Sequence, residues 1–223
     1  MRRLDWDGCL CARDLGGLET ADGRVTRPGA LVRSDDLGRL TPAGWAALRD
    51  HGITSAIDLR NDDEREGPHP IPTVHLPLDA IEDREFWDVW QAGPQFATPL
   101  YYRPHLERFP DRSAAVLTAI ADAPPGGVVV HCTAGRDRTG LASLLVLALL
   151  GVPGDVIAAD HELSAGHARD DEIVDAFLAD RGETRGALVR ELVDTVDVAD
   201  TLRLPDTTVG ALRVRLLSPR ARP

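Results

Sequence analysis

The chain has 223 residues, 43% of them hydrophobic, which suits one α/β domain with a substantial buried core. A formal net charge of −11 argues against a broad nucleic-acid-binding surface, and it makes any site for an anion depend on local positive charge. All 25 basic residues are arginine, a compositional bias without functional content. The three cysteines, Cys9, Cys11 and Cys132, are too few and too odd in number for a disulfide framework and fit a reducing compartment. No h-region follows Met1, and no apolar run reaches the length of a membrane span. A cytoplasmic location without stable membrane insertion is therefore expected, with export without a visible signal as the alternative.

The chain opens with a glycine-rich, charged stretch over residues 8–33. Asp22-Gly23 between apolar positions signals a hairpin, and Leu31 to Arg33 start a strand. Arg13, Asp14 and Arg33 read as a structural ion-pair cluster. Thr41 and Pro42 mark a helix entry, Trp45 and Leu48 give its apolar stripe, and His51-Gly52 ends it. Residues 53–60 follow as a strand, so that a helix feeds a strand of a parallel or mixed sheet. Arg60, at the end of that strand, lines a cleft or pairs with Glu64 in the charged loop after it.

Residues 73–79 read as another strand, ending in Asp79. That carboxyl is either a general acid or the N-cap of a segment over residues 80–90, and the capping role is favoured. Residues 80–110 hold seven of the chain's ten aromatic residues. They form either a mobile helical lid over the site or a helical hairpin packed on the sheet. An amphipathic helix over residues 111–123 is broken by Pro124-Pro125-Gly126-Gly127.

Next comes the stretch around which the chain is organised. Val128 to Val130 form a short β-branched strand. Leu141 to Leu150 are an unbroken apolar helix stopped by Gly151 and Pro153. Between them stand Cys132 at the strand end and Arg138 at the helix start. A thiol at a helix N-terminus ionises more readily, and the same free N–H groups can cradle a phosphate dianion. The planar fork of an arginine binds two phosphate oxygens. A thiolate and a phosphate ester in one anion nest imply attack at phosphorus through a cysteinyl-phosphate. Further helices are expected over residues 156–163, 170–180, 184–196 and 207–217, with residues 218–223 as a disordered tail. The whole of residues 1–217 forms one domain. His161, Glu162 and His167 could pass for metal ligands, but no matching ligands stand at suitable spacing.

The loop Cys132 to Arg138 resembles the C-x5-R loop of the cysteine-dependent tyrosine and dual-specificity phosphatases. The longer run His131-Cys132-Thr133-Ala134-Gly135-Arg136-Asp137-Arg138-Thr139-Gly140 is closer to a bacterial branch that includes secreted mycobacterial phosphatases for phosphotyrosine and phosphoinositides. That branch usually reads H-C-x-A-G-K-D-R-T-G, so Arg136 replaces a lysine. R-D-L-G-G from Arg13, D-L-R from Asp58 and Asp160-His161-Glu162-Leu163-Ser164 resemble the same branch. Cys11 stands where asparagine is usual and His161 where tyrosine is usual.

The resemblance implies a tyrosine-phosphatase-like α/β fold, a central mixed sheet flanked by helices, with a helical lid insertion and a helical C-terminal region. It implies Cys132 as nucleophile, Arg138 with the N–H groups of Thr133, Ala134 and Gly135 as phosphate binders, Thr139 as the thiolate's hydrogen-bond partner, and His131 behind the loop. Asp137 is the implied general acid, with Asp79 as alternative. Arg136 is expected as a second positive charge at the pocket mouth, favouring substrates with extra phosphates. No metal or organic cofactor is required, and the partner is a phosphorylated protein or a phosphoinositide. Two other classes are open: a rhodanese-type sulfurtransferase, and a phosphate-binding module without turnover.

Overall fold

In a computed structural model, residues 2–166 and 171–219 are described. His167, Asp170 and the last residues of the expected tail lie outside them. The strands are β1 (Arg2–Arg3), β2 (Arg13–Asp14), β3 (Leu31–Ser34), β4 (Ile53–Asp58), β5 (Thr73–His75) and β6 (Gly127–His131). They form one mixed sheet in the order β1-β2-β3-β6-β4-β5. Strands β3, β6, β4 and β5 run parallel, while β1 and β2 add an antiparallel edge. This is the mixed α/β architecture expected from the alternation of helix and strand.

Strand β6 is central and wholly buried, which explains its run of three valines. It pairs with β3 through Leu31–Val128 and Ser34–His131, and with β4 through Asp58–His131. Cys132 therefore leaves the C-terminal edge of the sheet beside the ends of β3 and β4, where open α/β sheets bind ligands. Helix α1 (Pro42–Asp50) covers one face; Thr41 caps it by accepting from the Gly44 N–H. That face buries Trp6, Val32, Leu37, Leu48, Ala56 and Val129.

The other face carries the large core around α5 (Asp137–Leu150). Helix α5 begins four residues before its apolar run, because Asp137, Arg138 and Thr139 make its first turn. It stops at Gly151 in the left-handed region, at φ 83°.

The aromatic stretch is not a separate lobe. Helix α2 (Arg84–Trp90) and helix α3 (Tyr102–Arg108), with 3-10 turns between them, bury Trp87, Tyr101 and Tyr102 in the main core. Their rings meet edge to face, with centroids 5.0 Å apart for Phe86–Trp87 and for Tyr101–Tyr102. The packed-hairpin reading therefore describes residues 80–110 better than a lid does. Asp79 does not cap α2 either. Ala80 takes a positive φ of 50°, which no helix start accommodates, and Asp83 caps instead by accepting from the Phe86 N–H at 3.0 Å.

Helix α4 (Pro110–Asp122) leads back to β6. After α5 come α6 (Gly154–Glu162), α7 (Asp171–Ala179), α8 (Arg185–Thr195), the single turn α9 (Val198–Thr201) and α10 (Asp206–Leu216), the expected helical C-terminal region. Among the described residues, no helix is long and apolar enough to cross a membrane.

Candidate active site

The loop from Cys132 to Arg136 joins β6 to α5. Cys132 is 2% exposed, and its sulfur accepts the Gly135 N–H at 3.3 Å. Gly135 sits at φ 69°, and a Cβ there would stand 2.5 Å from the Cys11 sulfur and 2.7 Å from the Asp35 nitrogen. Only glycine lets the loop curl this tightly around the thiol.

The loop is held from outside as well. Arg33 donates to the Gly135 carbonyl at 2.8 Å, the Asp36 N–H donates to the Thr133 carbonyl at 3.2 Å, and the Cys11 thiol lies 3.5 Å from the Ala134 carbonyl. Burial and nearby Asp35 push the Cys11 thiol up to about 12, so it stays protonated and packs as a small apolar group.

Arg138 emerges from the first turn of α5. Its two terminal nitrogens grip both carboxylate oxygens of Glu64, with Nη2 at 2.7 Å from Oε1, and Nη1 lies 3.3 Å from Asp79. The Thr133 hydroxyl donates to the same Glu64 oxygen at 2.6 Å. Burial opposes the Glu64 charge, but the paired donors of Arg138 outweigh it and hold the carboxyl down at about 2.

Glu64, the carboxylate that holds Arg138, is the residue of this site that sequence reasoning missed. It was matched with Arg60, yet Arg60 touches only its main-chain carbonyl, at 3.4 Å. Arg60 itself is buried, donating to both oxygens of Asp58 at 2.9 Å and to Asp36 at 2.7 Å. It thereby fixes the turn that presents Glu64 and does not itself project into open solvent. The signal for Glu64 was its place in the loop after D-L-R, but its partner is 74 residues away.

Two carboxyls flank the arginine. Asp79 is 3% exposed, and burial raises it to about 6 against the pull of Arg138 and the Asn61 amide. Asp137, the first residue of α5, is also raised by burial, against the pull of Arg136. Arg136 is not a solvated charge at the pocket mouth. It is 4% exposed and donates through Nε to Asp137 at 3.1 Å and through Nη1 to Asp171 at 2.5 Å.

The remaining expected residues fall as follows. The Thr139 hydroxyl is buried and donates to the Ser34 carbonyl at 3.5 Å, so it pins the helix start to β3. His131 lies behind the loop, with Nδ1 3.4 Å from the Cys132 carbonyl. Burial lowers it to about 3 despite nearby Asp58, so the ring is neutral. The ion-pair cluster of Arg13 and Arg33 is present and closes on Asp160, at 3.1 Å and 2.5 Å. Asp14 belongs to a different group, accepting from Gly16 and Gly29 and pairing with His51 at 3.0 Å. His161 is a core residue: it bonds the Tyr102 hydroxyl at 2.9 Å, which donates to the Asp137 carbonyl at 3.1 Å.

A buried thiol that accepts the Gly135 N–H, followed by an arginine in the first turn of α5, is the arrangement of a cysteine-containing anion-binding loop. Residues 4–213 match the model of the tyrosine phosphatase family, and the chain belongs to that family. It is 35% identical over 183 residues to the triple specificity protein phosphatase PtpB of Mycobacterium tuberculosis, covering 67% of this chain and 64% of PtpB. It is 32% identical over 169 residues to a putative tyrosine-protein phosphatase of Cupriavidus necator, covering 71% of this chain and 61% of that one. The chain thus spans just under two thirds of these relatives. A crystal structure of TpbA from P. aeruginosa aligns with a TM-score of 0.41 at 20% identity, covering 81% of this chain and 88% of that one.

Proposed function

We propose that this chain is a cysteine-dependent phosphatase that hydrolyses phosphotyrosine monoesters, with phosphoserine, phosphothreonine and phosphoinositide esters as further substrate classes. The observation that carries this reading is the pairing of Cys132, its sulfur inside the loop and bonded to the Gly135 N–H, with Arg138 in the first turn of the helix that follows the loop. Membership in the tyrosine phosphatase family supports it, and the name of the mycobacterial relative supports a substrate range wider than phosphotyrosine.

In the first step the Cys132 thiolate attacks phosphorus, an S–P bond forms and the ester P–O bond breaks. The loop N–H groups and Arg138 take the charge that develops on the equatorial oxygens. A guanidinium has five N–H donors, so the grip of Glu64 orients Arg138 without exhausting it. Asp137 gives the leaving oxygen its proton; burial raises this carboxyl and so favours its protonated form. In the second step water, deprotonated by the same carboxylate, attacks phosphorus and releases the thiolate, while Thr139 steadies the loop against β3. The general-acid role belongs to Asp137 over Asp79 because Asp79 is enclosed beside Arg138, whereas Asp137 opens the helix at the loop edge.

The test is hydrolysis of para-nitrophenyl phosphate at mildly acidic pH by wild type and Cys132→Ser. Activity lost in the variant is the expected result. Reduced wild-type protein that binds phosphopeptide without turnover would make the chain a binding module, and persulfide transfer from thiosulfate would make it a sulfurtransferase.

A further inference from the structure

Behind the phosphate loop, on the side away from Cys132, three side chains converge for which the proposed hydrolysis has no use. His69, from the loop between β4 and β5, brings its Nε2 to 3.2 Å from the Nε2 of His131. Asp58, the last residue of β4, places Oδ1 3.7 Å from His131 Nε2 and Oδ2 3.9 Å from His69 Nε2. The donor atoms of all three lie within 4.8 Å of one another. The two imidazole side chains are enclosed, at 5% and 0% exposure.

The tautomers make this meeting informative. The Cys132 carbonyl can only accept, so His131 Nδ1, 3.4 Å from it, carries the ring's proton and leaves a lone pair on Nε2 in the neutral ring. Arg60 Nη2, a donor, lies 3.5 Å from His69 Nε2 and asks for a lone pair there too. Across this 3.2 Å gap His69 Nε2 either donates to His131, leaving Arg60 no acceptor there, or shares a metal ion with it.

The separation fits a metal. Two imidazole nitrogens on one tetrahedral zinc ion at ordinary bond lengths stand about 3.3 Å apart. The outer arrangement fits as well, since metal-bound histidines usually give their other N–H to a backbone carbonyl or carboxylate. His131 does so toward Cys132.

We propose that His69, His131 and Asp58 form a binding site for a late first-row divalent cation, Zn²⁺ by its donor chemistry. The two imidazoles are the principal ligands. Asp58 supplies the third, through Oδ2, by closing on the ion and loosening its contact with Arg65, which at 3.3 Å is the longest of that carboxylate's hydrogen bonds. Arg60, bonded to both Asp58 oxygens, opposes the cation's charge, so the site is one of moderate affinity. Water completes the coordination. Occupancy would tie the loop after β4, which also presents Glu64, to the strand that presents Cys132.

The experiment is a titration of the chelator-treated full-length chain with Co²⁺, followed optically and back-titrated with Zn²⁺. The expected result is saturation at one equivalent, with visible bands of a four- or five-coordinate ion, no thiolate-to-metal charge-transfer band, and displacement by Zn²⁺. His69→Gln should weaken binding more than about tenfold, as loss of a ligand does at minimum. A thiolate charge-transfer band would place the ion on a cysteine and overturn the proposal, as would equal binding by His69→Gln or no saturable binding. Should that variant fail to fold, Zn²⁺-induced shifts of two histidine ring nitrogens in wild-type nuclear magnetic resonance spectra decide the matter. Rings that do not respond overturn it. None of these readouts depends on phosphatase activity.

Discussion

Burial raises both Asp79 and Asp137, and each can be tested alone. The folded-state value of Asp79 lies above its unfolded one, at about 6 against 3.8, so folding favours the protonated carboxyl. Its contribution to stability is fully present below about pH 4 and is lost as pH rises to about 6 and beyond. Two pH units of displacement correspond to up to about 3 kcal/mol. Asp79→Asn, which mimics the neutral form, should therefore melt higher than wild type at pH 8 and alike at pH 4, as calorimetry across that range would show. Asp137, as the proton donor, should set the alkaline limb of the rate profile. Asp137→Asn should lower kcat by about 10²-fold or more and flatten that limb, while Asp79→Asn has the milder effect. A pH–rate series in which Asp79→Asn abolished turnover and Asp137→Asn left the limb in place would reverse the assignment.

At the scale of elements, the first turn of α5 does not stand alone. Arg136 bridges Asp137 on α5 to Asp171 at the start of α7, and Arg185 from α8 reaches the same Asp171 at 3.2 Å and the Ala97 carbonyl at 2.9 Å. A planar guanidinium can serve two carboxylates in divergent directions, which the point charge of a lysine does less well. Because Arg136 holds Asp137 down against the effect of burial, Arg136→Met should move the alkaline limb of the rate profile to higher pH. The ratio of phosphoinositide to phosphotyrosine turnover should stay within about twofold of wild type, since the charge does not face solvent; a rate profile and a two-substrate assay measure both. These links mark what a sequence conveys and what it withholds. The valines of β6, the Thr41 cap and the glycine stop of α5 act over a few residues and were readable. So was the Cys132–Arg138 pair, since one short loop joins them. The start of helix α3 was hidden because Tyr101 gives it no side-chain cap, and Asp79 was mistaken for a cap because nothing local encodes the positive φ of Ala80. The distant partners of Glu64, Arg136 and Arg33 lie 35 to 127 residues away, and nothing local encodes such pairings.

Across the whole molecule, one carboxylate joins the antiparallel edge of the sheet to the helical layer and, through it, to the phosphate loop. Asp160 on α6 takes Arg13 from β2 on one oxygen and Arg33 from β3 on the other. Arg13 continues to the Ser164 hydroxyl at 2.7 Å, and Arg33 continues to the Gly135 carbonyl at 2.8 Å. All three charged groups are buried, at 1% to 4% exposure. Burial would raise the Asp160 carboxyl, but the charges of Arg33 and Arg13 outweigh it and hold it below the ordinary carboxylate range. Its stabilising contribution is thus present above the unfolded value near 3.9 and is lost as pH falls through the lower folded one. Removing the charge at neutral pH strands two enclosed guanidinium groups, and breaking a buried pair in this way costs about 3–5 kcal/mol. Asp160→Asn should lower the unfolding free energy measured by denaturant titration by that amount and slacken the loop, since Arg33 loses the anchor from which it holds Gly135. The slackening is separable from the loss of stability: at a temperature where the variant is still folded, KM for para-nitrophenyl phosphate should rise more than kcat falls, because the loop N–H groups that bind phosphate are no longer fixed. A variant of wild-type stability would mean that the two arginines find other partners or water, and that the loop is held by β6 and α5 alone.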